Sequence, residues 1–99
     1  MLNSKQRAFL RALANTLPAT QQIGKDGVTE AVCQQAELEL KAKELIKLKV
    51  LENSLLTAKE ACGQLCEAIG AEPVQCIGNK LVIYRQNPEK TEILLPKGK

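Results

Sequence analysis

The chain has 99 residues, enough for one hydrophobic core and too few for two. It holds no histidine, so the commonest general base and metal ligand is missing, and with one Phe, one Tyr and no Trp it has no aromatic platform on which bases could stack. The net charge is +3, and its distribution is uneven: residues 1–50 hold eight Lys and Arg against five acids, residues 51–99 six against six. All of the excess therefore lies in the first half, where a phosphate-binding surface would need it. No apolar run approaches the ~20 residues that span a bilayer. The start, Met1 to Lys5, turns polar at once, so no signal peptide is expected. A cytosolic location follows as the expectation, with Cys33, Cys62, Cys66 and Cys76 as reduced thiols.

Ser4 is read as the N-cap of a first helix running to residue 15. At 100° per residue Leu2, Phe9, Leu10, Leu13 and Leu17 share one side. Ser4, Arg7, Arg11 and Asn15 share the other, a face with two cations one turn apart and no acid. Pro18 ends this helix, because it disfavours helical geometry in the residue before it. Residues 20–23 form a short strand, and Gly24-Lys25-Asp26-Gly27 a loop framed by two glycines.

Both glycines can take positive φ and neither has a Cβ, so the backbone between them can approach a ligand closely. A second helix over residues 29–42 brings open N–H groups and the positive end of its dipole to the loop. Together these make a site for a phosphate oxygen, with the Lys25 charge beside it. Thr29 is expected as a capping or phosphate-facing hydroxyl and Glu30 as an acid near the dipole. On the motif alone, a plain strand-to-helix turn that needs glycine is the favoured reading.

On the second helix Thr29, Val32, Cys33, Ala36 and Leu40 share the buried stripe, and Leu38 falls away from it. Residues 44–52 change period. Ile46, Leu48 and Val50 alternate with Leu45, Lys47, Lys49 and Leu51, which predicts a strand with one buried face and the two lysines on the other. A third helix over 56–69 ends at Gly70, with Ala58, Ala61, Cys62, Leu65 and Ile69 on its inner face. Pro73 admits a following strand only at its start or on an edge. Strands over 74–77 and 80–85 are joined by Gly78-Asn79, residues suited to a two-residue hairpin turn. Leu81 and Ile83 face the core, Lys80 and Tyr84 the other way. The tail from residue 86 is polar apart from Ile93-Leu94-Leu95, and is either docked or frayed. The fold class is thus α/β, a single domain in the order α-β-α-β-α-β-β with a four-stranded mixed sheet. The parallel pair crosses right-handed through the second helix.

Catalysis finds no support in the residues: no serine or cysteine lies in an elbow motif, and no carboxylate pair is set apart by its context. Cys62 and Cys66 are one helical turn apart on a core face, unlike the tight loop pairs of structural zinc sites. All four cysteines fall in apolar registers and are read as small hydrophobes, so no metal, disulfide or cofactor is expected. The glycine loop is also too short for a mononucleotide P-loop.

Four motifs in order then carry a family resemblance over residues 2–85. They are Lys5-Gln6-Arg7 with Phe9-Leu10-Arg11, Ile23-Gly24-Lys25-Asp26-Gly27-Val28-Thr29-Glu30, Glu44-Leu45-Ile46-Lys47-Leu48-Lys49-Val50, and Gly78 with Leu81-Val82 and Tyr84-Arg85. The sequence resembles the CRM domain, in particular the small stand-alone bacterial YhbY-type proteins. The resemblance implies an RNA-binding domain with a KH-like glycine loop and a fold similar to the C-terminal domain of translation initiation factor three. For single-domain bacterial members it implies association with precursors of the large ribosomal subunit. Relatives in plant organelles act in group II intron splicing.

Two positions depart from the family pattern: Asp26 stands where Gly or Asn is usual, and Lys43 where His is frequent. The expected function is non-catalytic RNA binding, by a monomer with no membrane partner. The RNA-facing residues expected are Lys5, Arg7 and Arg11 on the first helix, Gly24, Lys25, Asp26, Gly27 and Thr29 at the loop, and Lys47 and Lys49 on the second strand. The alternative is an adaptor that docks on ribosomal proteins through an exposed sheet face.

Overall fold

A computed structural model of the chain describes residues 2–86. Its elements are α1 (Ser4–Ala14), β1 (Gln21–Ile23), α2 (Glu30–Lys43), β2 (Leu45–Val50), α3 (Ala58–Ile69), β3 (Glu72–Ile77) and β4 (Lys80–Tyr84). This is the expected order. The strands form one sheet in the order β1-β2-β4-β3, with β1 parallel to β2 and the other pairs antiparallel. The segment containing Ile93-Leu94-Leu95, with most of the proposed tail, lies outside the described residues.

Although 99 residues were expected to hold one core, the sheet divides the buried side chains into two clusters, because it lies in the middle of the chain's layers with helices on both faces. Ile46, Leu48 and Val50 of β2 and Leu81 and Ile83 of β4 point to one side, where they meet Ala36 and Leu40 of α2 and Ala61, Cys62 and Leu65 of α3. On the other side a smaller cluster joins Leu2, Leu10 and Ala14 to Leu45, Val74, Val82 and Tyr84. Leu45 is buried although it alternates out of phase with Ile46, because α1 covers that end of the strand. Farther along, the face of β2 that carries Lys47 and Lys49 emerges from under α1.

Local chemistry explains the boundaries. α1 is capped by Asn3, one residue before the expected Ser4. Asn3 Oδ1 accepts from the Gln6 amide at 2.8 Å, and Gln6 Oε1 accepts from the Asn3 amide at 3.1 Å. That reciprocal box satisfies two donors, which Ser4 followed by Arg7 could not do. α3 starts at Ala58, two residues later than expected, because Thr57 and Glu60 form a second such box. The same bonds hold the exposed Glu60 carboxyl below its ordinary pKa. Glu44 joins α2 to β2 in the left-handed region at φ 65°, and Gly70 ends α3 at φ 67°. Pro73 sits on edge strand β3, where a missing N–H costs no ladder bond, and the pairing is irregular between Pro73 and Gln75. At the hairpin only Gly78 takes positive φ, as a type II′ turn requires.

The helical phase of α1 differs from the expectation. Phe9 and Leu13 were expected inward but stand 38% and 39% exposed, while Leu2, Leu10 and Ala14 are buried. The small Ala14 lets the helix sit close to the sheet, and this turns Arg7 partly inward and the larger apolar pair outward.

Removing the Thr57 hydroxyl tests the second cap. Thr57→Ala should lower unfolding free energy by about 1 kcal/mol. In urea denaturation this is read as a lower midpoint at unchanged slope.

Candidate nucleic-acid interface

At the end of β1 the Ile23 carbonyl accepts from the Leu51 amide at 2.9 Å, tying the strand to the loop after β2. The Gly24 carbonyl then accepts from the Gly27 amide at 3.0 Å and closes a turn with Lys25 and Asp26 at its tip, both exposed. Thr29 caps α2: its Oγ1 accepts from the Val32 amide at 3.2 Å, and its carbonyl accepts from Cys33 at 3.0 Å. Helix geometry leaves the Glu30 and Ala31 amides without an intrahelical acceptor, beside the turn.

The two glycines differ in what they do. Gly27 has φ 71°, and a Cβ there would lie 3.2 Å from Leu56 Cδ1. Gly24 is not in the positive-φ region, and a Cβ there would meet only Asn53 Oδ1 and Leu51 Cδ1, each at an ordinary 3.8 Å. The fold needs glycine at position 27 but has room for a Cβ at 24. Next to the turn a cleft of about 260 Å³ separates Lys25, Gly27 and Val28 from Leu55, Leu56 and Gln64. Leu55 is 91% exposed at its edge. Nothing in the sequence periodicity marked Leu55 or Gln64, since both lie outside the buried stripes.

The cations expected on α1 are split by the structure. Arg7 is half-buried, and its Nε donates to the Pro73 carbonyl of β3 at 3.3 Å. Arg11 is exposed one turn on, on the same flank. Lys5 lies ~200° around the helix from Arg7 and shares no face with it.

α1 crosses the sheet at the end formed by Leu45, Tyr84 and Glu72, where Leu2 N donates to Glu72 Oε1. The glycine turn is at the opposite end. The two groups were expected to grip neighbouring phosphates; instead they are separated by the length of β2, roughly 16 Å at the usual rise per residue. Lys47 and Lys49, both half-buried, occupy the interval on the α1 side of the sheet.

The thiols lie apart from this surface. Cys62 and Cys66 are in the core, but Cys76, expected inside, is exposed because β3 is an edge strand. Cys33 is half-buried. A hydrogen bond shared with Cys66 pushes the Cys62 thiol far up and lowers that of Cys66. Although the residue as a whole is exposed, partial desolvation of its sulfur, then a hydrogen bond with Cys62, pushes Cys76 up to about 12. Among the described residues no group of three or more His, Cys, Asp or Glu is placed to hold a metal ion. Among the same residues, no helix is long and apolar enough to cross a membrane.

The chain belongs to the CRS1/YhbY (CRM) domain family, whose model matches residues 2–85. Its relatives there include small stand-alone proteins. Probable RNA-binding protein YqeI of Bacillus subtilis is 38% identical over 96 residues, which cover 97% of this chain and 100% of that protein. An RNA-binding protein of Haemophilus influenzae is 36% identical, over 97% of this chain and 96% of its own. The solution structure of a Staphylococcus aureus protein, described as a candidate RNA-binding protein, has 44% identity and a TM-score of 0.81, and covers 97% of this chain and 100% of its own.

The asymmetry of the glycines has a measurable form. Gly27→Ala should lower stability by ~1–2 kcal/mol, the cost of left-handed backbone at a residue with a Cβ. Gly24→Ala should leave the urea midpoint where it is.

Proposed function

We propose that this protein binds structured RNA without catalysing a reaction on it, with the glycine turn as a phosphate contact. The proposal extends to the target: ribosomal RNA in precursors of the large subunit, bound in the cytoplasm by a monomer during assembly. Family membership and the names of the relatives support RNA as the partner. The observation that carries the site is Gly24. A glycine that the fold does not need, beside an exposed lysine and the open end of a helix, suits a ligand that must touch backbone.

A phosphate oxygen at the turn would meet the Glu30 and Ala31 amides and the positive end of the α2 dipole. Lys25 adds attraction there and Asp26 subtracts from it. Arg11 and the outer nitrogens of Arg7 would reach a more distant part of the same RNA.

Fluorescence anisotropy with a labelled RNA stem-loop tests this reading. Gly24→Ala should weaken binding with no loss of fold, and Lys25→Ala should weaken it too. Asp26→Asn should tighten binding at low salt by about 1 kcal/mol, the Coulomb energy of an exposed pair in contact, and the gain should shrink as salt rises. Equal affinity for all three variants and the wild type would move the RNA off this turn. Crosslinking in cells, with sequencing of the bound RNA, identifies the target.

A further inference from the structure

We propose that the half of the sheet face left open by the described elements is a second RNA contact, in which Lys49 and Lys80 hold backbone phosphates of a double-helical segment. This rests on the RNA reading above and deepens it from a loop to a surface and a class of RNA.

The register brings the residues together. Gln22 of β1 pairs with Lys49 of β2, Lys49 with Lys80 of β4, and Lys80 with Ile77 of β3. Paired residues project from the same face, so these four make one row straight across the sheet. The row starts one residue before Ile23 and so abuts the glycine turn, and it ends at the Gly78-Asn79 hairpin. Lys47, two residues before Lys49, stands on the same face in the next row. Among the described residues, α1 covers the far end of this face, over Leu45, Val82 and Tyr84.

Opposite residues on an antiparallel pair have their Cβ atoms about 5 Å apart, and like charges there destabilise a sheet. Lys49 and Lys80 are such a pair. Neither they nor Lys47 make an ion pair with any described residue. Two repelling ammonium groups with a third beside them create a strong local demand for anionic charge. Arg11 continues the cationic character along the border. Gln6, on one flank of α1, lines a second cleft at the far end of the sheet with Gly70, Glu72 and Arg85, so the other flank, with Arg7 and Arg11, looks onto the open face.

The chemistry of the row selects the form of RNA. Gln22, Lys49, Lys80 and Ile77 include no aromatic ring, Tyr84 is buried beneath α1, and Phe9 is on α1 itself. Binding of unpaired bases draws on stacking, which this face cannot offer. A double helix is held instead through phosphates and 2′-hydroxyls, for which lysines and the Gln22 amide are suited. The same charges disfavour an apolar protein partner on this face.

The test uses the full chain, a labelled RNA stem-loop and a single strand of matched length. Wild type should prefer the stem-loop. Lys49→Gln and Lys80→Gln should each weaken stem-loop binding roughly fivefold at low salt. Each should also reduce the salt slope by about 1. Lys80→Glu should weaken binding further while its melting temperature rises, because it exchanges a repulsion for a cross-strand ion pair with Lys49.

Four results would overturn the proposal. Unchanged affinity and slope in both Gln variants, with Lys25→Ala still weakening binding, removes the sheet contact, leaves the glycine turn standing and returns this face to a protein partner. A fall in both melting temperature and affinity for Lys80→Glu assigns Lys80 to the fold. Equal affinity for the single strand refutes the double-helical class. No binding of either RNA by wild type refutes the RNA reading itself, and the sheet contact with it.

Discussion

The hydrogen bonds that β2 makes on both its edges fix the position of nearly every charged group in this surface. On one edge it pairs with β1 through Gln21, Gln22 and Ile23; on the other it pairs with β4 from Leu45 to Lys49. Ile46, Leu48 and Val50 anchor the strand in the larger core, so a slip of one residue would bury Lys47 and Lys49 and expose the apolar set. The register is therefore held by several kilocalories of burial per side chain pair, far more than the repulsion between two exposed ammonium groups could release. A stable strand can in this way hold lysines where they would not settle by themselves.

Much of this was legible in the sequence, and the part that was missed has a common cause. The alternation of Ile46, Leu48 and Val50 with two lysines needs no partner to be read, and the two-residue Gly78-Asn79 turn dictates that Ile77 faces Lys80. Pro73 admitted its strand only at a start or on an edge, and β3 is an edge strand. The pairing of Lys49 with Lys80 could not be read, since it depends on which of several strands lies beside β2. The phase of α1 was misjudged for a related reason. Phe9 and Leu13 looked like core by hydrophobicity, but the sheet end they would have met is filled by Leu45, Val82 and Tyr84, leaving space for Ala14 rather than a larger side chain.

The glycine turn divides the same way. Its position between a strand and a helix followed from local signals, as did the role of Thr29 at the helix start. That Gly27 serves the backbone and Gly24 does not required knowing that Leu56 approaches the one while only Leu51 and Asn53 approach the other. Leu56 comes from the segment before α3, distant in sequence. The α1 cap was misplaced by one residue for a smaller reason: Asn3 and Ser4 are adjacent and both able to cap, and only the Gln6 partner decides between them.

The two cores give the molecule an unplanned optical label. The chain has one tyrosine and no tryptophan, and Tyr84 lies in the smaller cluster, under α1. Burial, and then the nearby Glu44 carboxylate, raise the pKa of its phenol above the ordinary value. Near-ultraviolet signals and alkaline ionisation of this single ring therefore report the seating of α1, while far-ultraviolet ellipticity reports the helices and sheet together. If the helix that borders the cationic face lifts before the larger core opens, the two spectra will part company, and the layering of the fold becomes visible without adding a probe.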